Sequence, residues 1–90
     1  MNPHILEDCP QLLRDFLFYM ETIKGRSANT VNGYYIDLRT FFRFMKIHRG
    51  LLSQSAAEDF SQIKIADVDL ELIRSVTLSD AYAFLNFTLS

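Results

Sequence analysis

The stretch RSANTVNGYYIDLRTFFRFMKIHRG, residues 26–50, decides the fold, because it reads as one long amphipathic helix with its own start and stop signals. Ser27 is an N-cap candidate whose hydroxyl can accept from the backbone N–H of Thr30. Val31, Tyr34, Leu38, Phe41 and Met45 then recur at intervals of three and four, Phe42 widens the stripe, and Gly50 supplies the left-handed residue that closes a helix. On a wheel of about 100° per residue, the opposite side carries Asn32, Ile36, Arg39, Thr40 and Arg43, with Lys46 at its edge.

Upstream, Asp8 and Gln11 form a candidate capping pair around Pro10. Leu12, Leu13, Phe16, Leu17, Met20 and Ile23 then build one apolar stripe, and Gly25 ends it, so residues 10–24 are predicted helical. Downstream, residues 51–66 lose the periodicity and read as a connector with a short helical turn from Ser55. A short helix is expected after Asp67 or Asp69, and a last one opens with Thr77 as N-cap and Asp80 in its first turn. The final residues, AFLNFTLS, contain no Gly, Pro or charged turn, so the expectation is a helix cut short and a chain, 1–90, that is a fragment of something longer. The fold class is therefore all-α: a small bundle of three main helices plus a short one, truncated before its last helix.

Composition narrows the functional classes. Ninety residues make one small domain, and 49% hydrophobic content with 8 Phe and 4 Tyr places it among chains that fold. Cys9 is alone, which leaves no internal disulfide and points to a cytoplasmic setting. The first ten residues lack the basic and apolar regions of a signal peptide, and the longest apolar run, AYAFL at 81–85, is too short to span a bilayer, so no membrane association is expected. His4 and His48 lie far apart, Cys9 has no basic neighbour in sequence, and Asp67, Asp69 and Glu71 alternate as helix-capping acids do, so no catalytic residue, metal or cofactor is expected.

Charge is segregated along the chain. Residues 24–49 hold Lys24, Arg26, Arg39, Arg43, Lys46 and Arg49 against Asp37 alone, a balance of +5 inside a protein of net charge −2. Like charges at i and i+4, such as Arg39 and Arg43, destabilise an isolated helix by about 0.2–0.5 kcal/mol per pair. Two readings stand side by side: a solvated face whose last cations complement the helix dipole, or a surface that meets a polyanion. Ser27, Asn29, Thr30 and Asn32 at the helix start add hydroxyls, amides and free N–H groups suited to phosphates or base edges.

Segment 13–50 resembles the opening half of the core-binding domain of tyrosine recombinases, the phage-integrase family. The resemblance rests on an amphipathic helix ending in Gly25, then Ser27 and Thr30 as Ser-x-x-Thr, then Tyr34, Asp37-Leu38 and the spaced Phe41 and Phe44. VTLSDAYAFLNF, 76–87, is similar to the start of the family's next long helix. What it implies is a SAM-like bundle forming half of a clamp on double-stranded DNA at a recombination site. The catalytic domain would follow in the same protein, and its catalytic residues lie outside this chain. Tyr34 matches a core tyrosine of the binding domain, whereas position 35, often basic in the family, is Tyr35.

The leading expectation is thus a non-catalytic DNA-binding module. Arg26, Ser27 and Thr30 would hold phosphates, while Asn29, Asn32, Arg39, Arg43 and Lys46 would reach backbone or groove edges. Three or four neutralised phosphates would give a salt slope of roughly −3 to −4. Its expected partners are DNA, the catalytic domain and further recombinase subunits. The alternative is a helical protein-interaction or oligomerisation module using the apolar face of the last helix.

Overall fold

In a computed structural model, which describes residues 2–90, the chain is a helical bundle: α1 Pro3–Asp8, α2 Gln11–Thr22, α3 Ala28–His48, α4 Gln54–Ala57, a 3₁₀ turn Phe60–Gln62, α5 Leu70–Arg74 and α6 Leu78–Leu89. The long helix α3 is the central element, with α2 and α6 packed on it. Its predicted N-cap holds, the Ser27 hydroxyl accepting from Thr30 N at 3.1 Å. Gly25 and Gly50 stand at φ 66° and 65°, a conformation that costs glycine no Cβ clash, and so end α2 and α3 where expected.

Helix α1 is absent from the sequence-based expectation. Asn2 caps it by accepting from His4 N at 2.9 Å, Pro3 occupies its first turn, and Ile5 is buried. This corrects the expected start of α2: Asp8 is the last residue of α1, and α2 begins after Pro10 with no side-chain cap. The Asp8 carboxylate instead accepts from Tyr35 Oη at 2.8 Å and from Ile65 N at 3.4 Å, tying α1 to α3 and to the connector.

The apolar stripes are also redistributed. On α2 only Leu13 and Leu17 are buried, with Met20 packed beside them, while Leu12, Phe16 and Ile23 are exposed. On α3 the buried set is Val31, Tyr35, Phe42, Phe44 and Met45, and Tyr34, Leu38 and Phe41 are only partly covered. A central helix touched on several sides needs an apolar arc wider than the single stripe of a two-layer packing. Tyr35, not Tyr34, is therefore the fully buried tyrosine.

The connector supplies the missing wall. After α4, capped by Ser53, and the 3₁₀ turn, residues 63–68 run across one flank of α3 and bury Ile63, Ile65 and Val68. An aromatic cluster closes the other end: Phe84 meets Phe41 edge-on at 5.1 Å, and Phe87 approaches Phe44 at 5.1 Å and Phe60 at 5.6 Å.

The turn into α6 is a capping box. Thr77 Oγ1 accepts from Asp80 N, and the Asp80 carboxylate accepts from Thr77 N at 2.8 Å and from Arg49 at 2.6 Å. The Arg49 hydrogen bond, followed by the backbone bond from Thr77, holds the Asp80 carboxyl down at about 2. An unfolded aspartate titrates near ~3.9, so this stabilisation is fully present above that pH and is lost as pH falls through about 2. Thermal unfolding is expected to show a lower midpoint at pH 2.5 than at pH 5, and Asp80→Asn should shrink that difference.

Candidate nucleic-acid interface

The predicted residues separate into an exposed group at the helix start, a half-buried pair, Arg39 and Arg43, and the buried Lys46, with Asn32 also half-buried. Arg26, Asn29 and Thr30 are exposed at the start of α3, next to the exposed Lys24. The Ser27 hydroxyl there is already engaged by Thr30, as acceptor from its N–H and donor to its Oγ1. Asn32, partly covered, accepts from Asn2 Nδ2 at 2.6 Å.

Arg39 and Arg43 lie farther along, roughly 15–20 Å away at 1.5 Å per residue. The Arg39 guanidinium sits 5.1 Å from the centre of the Tyr35 ring and reaches its hydroxyl at 3.4 Å, while its Nε is buried without a partner. Arg43 Nε donates to Ile63 O at 2.8 Å, and its guanidinium lies 5.9 Å from the Phe60 ring centre. Burial, and then the nearby charge of Arg39, lower the proton affinity of Arg43, which stays a cation at any ordinary pH. The two side chains share a cleft of about 220 Å³ with His4, Glu7, Asp8 and Lys64.

Lys46 does not lie on an exposed polar edge as expected. The 63–68 segment covers that flank, and Lys46 is 6% exposed, its ammonium donating to Lys64 O at 2.6 Å and paired with Asp67. Arg49 is likewise paired with Asp80. Two of the six cations of segment 24–49 thus find carboxylates 21 and 31 positions downstream, so part of the charge segregation along the sequence is cancelled in space. Among the described residues, Arg39 and Arg43 belong to no ion pair.

The Lys46 pair is asymmetric, the lysine side chain 7% exposed and Asp67 77% exposed. Asp67→Asn is expected to cost less than about 1 kcal/mol, because the lost partner is largely hydrated and the ammonium keeps its carbonyl. Lys46→Met, which removes the buried ammonium together with its bonds to Lys64 O and Asp67, should cost about 1–2 kcal/mol by urea unfolding. Equal costs would mean that the ion pair, not the carbonyl contact, holds residues 63–68 against α3.

Two residues escaped the sequence reading. Tyr35 looked like a lost surface cation, yet it is buried with burial and the Asp8 hydrogen bond raising its pKa, a structural phenol. Lys64 stood unnoticed between two isoleucines, and the alternation Ile63-Lys64-Ile65 was the available signal, since burying both isoleucines turns the lysine outward.

No helix among the described residues is long and apolar enough to cross a membrane. No family model and no solved structure matches the chain. Two curated proteins do. The tyrosine recombinase XerC of Caldanaerobacter subterraneus subsp. tengcongensis is 49% identical over 78 residues, 87% of this chain and 22% of that protein. The tyrosine recombinase XerD of Listeria monocytogenes serotype 4b is 38% identical over 47 residues, 52% of this chain and 16% of that protein. The chain spans about a fifth of the length of the curated relatives it matches.

Proposed function

We propose that this chain, a tyrosine-recombinase-derived domain as its relatives support, is a non-catalytic module that grips duplex DNA along the exposed flank of α3. The observation that carries this reading is the Arg39–Arg43 pair, two neighbouring cations in one open cleft that, among the described residues, share an ion pair with no carboxylate. Phosphate oxygens offer the bidentate acceptors that guanidinium forks fit. Arg26, Asn29 and Thr30, with the adjoining Lys24, extend the contact to the helix start, where free N–H groups favour an anion.

Lys46 is not assigned a phosphate, since binding one would require its buried side chain to leave Lys64 O and Asp67. Without it, about three phosphate contacts remain, and log K should fall against log salt with a slope of roughly −2 to −3. Fluorescence anisotropy on a labelled duplex measures this directly. A slope near zero, or no binding at low salt, removes the reading. In the parent protein the same module would act beside a catalytic domain and other recombinase subunits, in the cytoplasm where its DNA is met.

A second reading has its own observation. Leu12, Phe16 and Tyr19 on α2 with Ile23 just after it, and Leu78, Tyr82, Leu85 and Leu89 on α6, are exposed at helical spacing, the pattern of an interaction face. Salt-insensitive, concentration-dependent self-association in sedimentation would favour a protein-interaction module.

A further inference from the structure

We propose that the cleft walled by α1, α3 and residues 61–66 is a single-phosphate pocket, in which Arg39, Arg43 and Lys64 hold one tetrahedral oxyanion. It deepens the DNA reading where the oxyanion is a backbone phosphate, and stands apart from it where the phosphate is free.

Four features converge on this site. Three permanent cations line it, contributed by α3 and by the connector, whereas elsewhere the domain neutralises Lys46 and Arg49 with its own carboxylates. The fork of Arg43 is oriented by its Nε bond to Ile63 O, which uses one donor and leaves the terminal nitrogens without a hydrogen bond among the described residues. Arg39 is braced over the Tyr35 ring with a buried Nε that has found no acceptor, a deficit that a neighbouring oxyanion would relieve by charge. Of the two carboxylates lining the cleft, Asp8 is committed to Tyr35 and Ile65 N, and Glu7 is exposed to water.

Size agrees with charge. At roughly 30 Å³ per water, a cleft of about 220 Å³ admits one phosphate with part of its hydration shell. A guanine edge offers O6 and N7 to one arginine fork but carries no net charge, so it would leave three neighbouring cations uncompensated where a phosphate would not. The pocket therefore reads a charge and not a sequence.

The test uses the 90-residue chain with labelled arginine side chains, titrated with inorganic phosphate at low ionic strength and with chloride at matched ionic strength. Saturable shifts of the Arg39 and Arg43 Nε–H resonances with phosphate alone are expected. Arg39→Gln with Lys64→Gln should weaken phosphate binding at least about tenfold. Lys64→Gln alone, on an exposed side chain with no ion pair, gives a smaller loss without threatening the fold. Shifts matched by chloride, or an affinity unchanged in both variants, overturn the pocket.

A duplex arm separates the sources. Duplex that displaces phosphate and weakens in the same variants identifies a DNA phosphate as the ligand. Phosphate binding without duplex binding keeps the pocket and defeats the DNA reading, whereas duplex binding indifferent to the variants, with no saturable phosphate binding, defeats the pocket and puts the DNA contact elsewhere on the domain.

Discussion

Arg39→Gln combined with Arg43→Gln is expected to weaken duplex binding about 50-fold at 0.1 M salt and to flatten the salt slope by about 1.8, because each lost phosphate contact removes about 0.9 from the slope. The two effects are one: a contact contributes through released counterions, so its share of log K scales with the log of the salt concentration. Glutamine suits the substitution, since its amide can still donate to Ile63 O and keep residues 63–68 anchored to α3. Circular dichroism should show unchanged helicity. Lys24→Gln serves as the comparison, expected to remove at most one contact at the far end of the surface. Unchanged affinity and slope in the double variant would put the DNA contact elsewhere on the domain.

Ile65→Ala is expected to destabilise the fold by about 2–4 kcal/mol. Ile65 is fully buried within the main apolar cluster, yet it comes from a segment with no regular secondary structure. Truncating it loses the transfer energy of the removed carbons and leaves a void at the junction of α1, α3 and the connector. For a chain of this length, with total stability on the order of 5–13 kcal/mol, that is a large fraction. Urea unfolding reads it as a lower midpoint at unchanged m. A loss below about 1 kcal/mol would mean that residues 63–68 peel from α3 at little cost, and Lys46 would then become available to DNA.

These two results bear on different parts of what the sequence disclosed. Several caps decided within four residues were legible, Ser27 on Thr30, Asp69 on Leu72 and the Thr77–Asp80 box, and the positive-φ glycines 25 and 50 mark the helix ends, whereas the equally local caps of Asn2 on His4 and of Ser53, not Ser55, on Ala56 were missed and the expected Asp8–Gln11 pair does not form. Helix α1 was hidden because six residues are too few to show a period. The wheel placed Tyr34 and not Tyr35 at the core because neighbouring positions on a helix differ by only about 100°, less than the width of an arc covered on several sides.

Charge was the least legible quantity. That Lys46 and Arg49 are matched by Asp67 and Asp80 depends on how the connector returns to α3, which no local pattern encodes. Counting charges by segment therefore overstated the unpaired positive charge of 24–49, which after these pairings is left at the helix start and in the Arg39–Arg43 cleft. Within the cleft, Lys64 joined the set through the short Ile-Lys-Ile alternation, a strand-like signal lying in a segment read as loop.

The most direct measurement is a side-chain and amide chemical-shift map of the domain titrated with duplex DNA at low salt. The Nε–H signals of Arg39 and Arg43 and the amides of residues 26–30 are expected to move together and saturate, while those of Lys46 and Arg49 stay in place. Shifts confined to the exposed faces of α2 and α6, or no saturable shift at all, would contradict a DNA contact along α3.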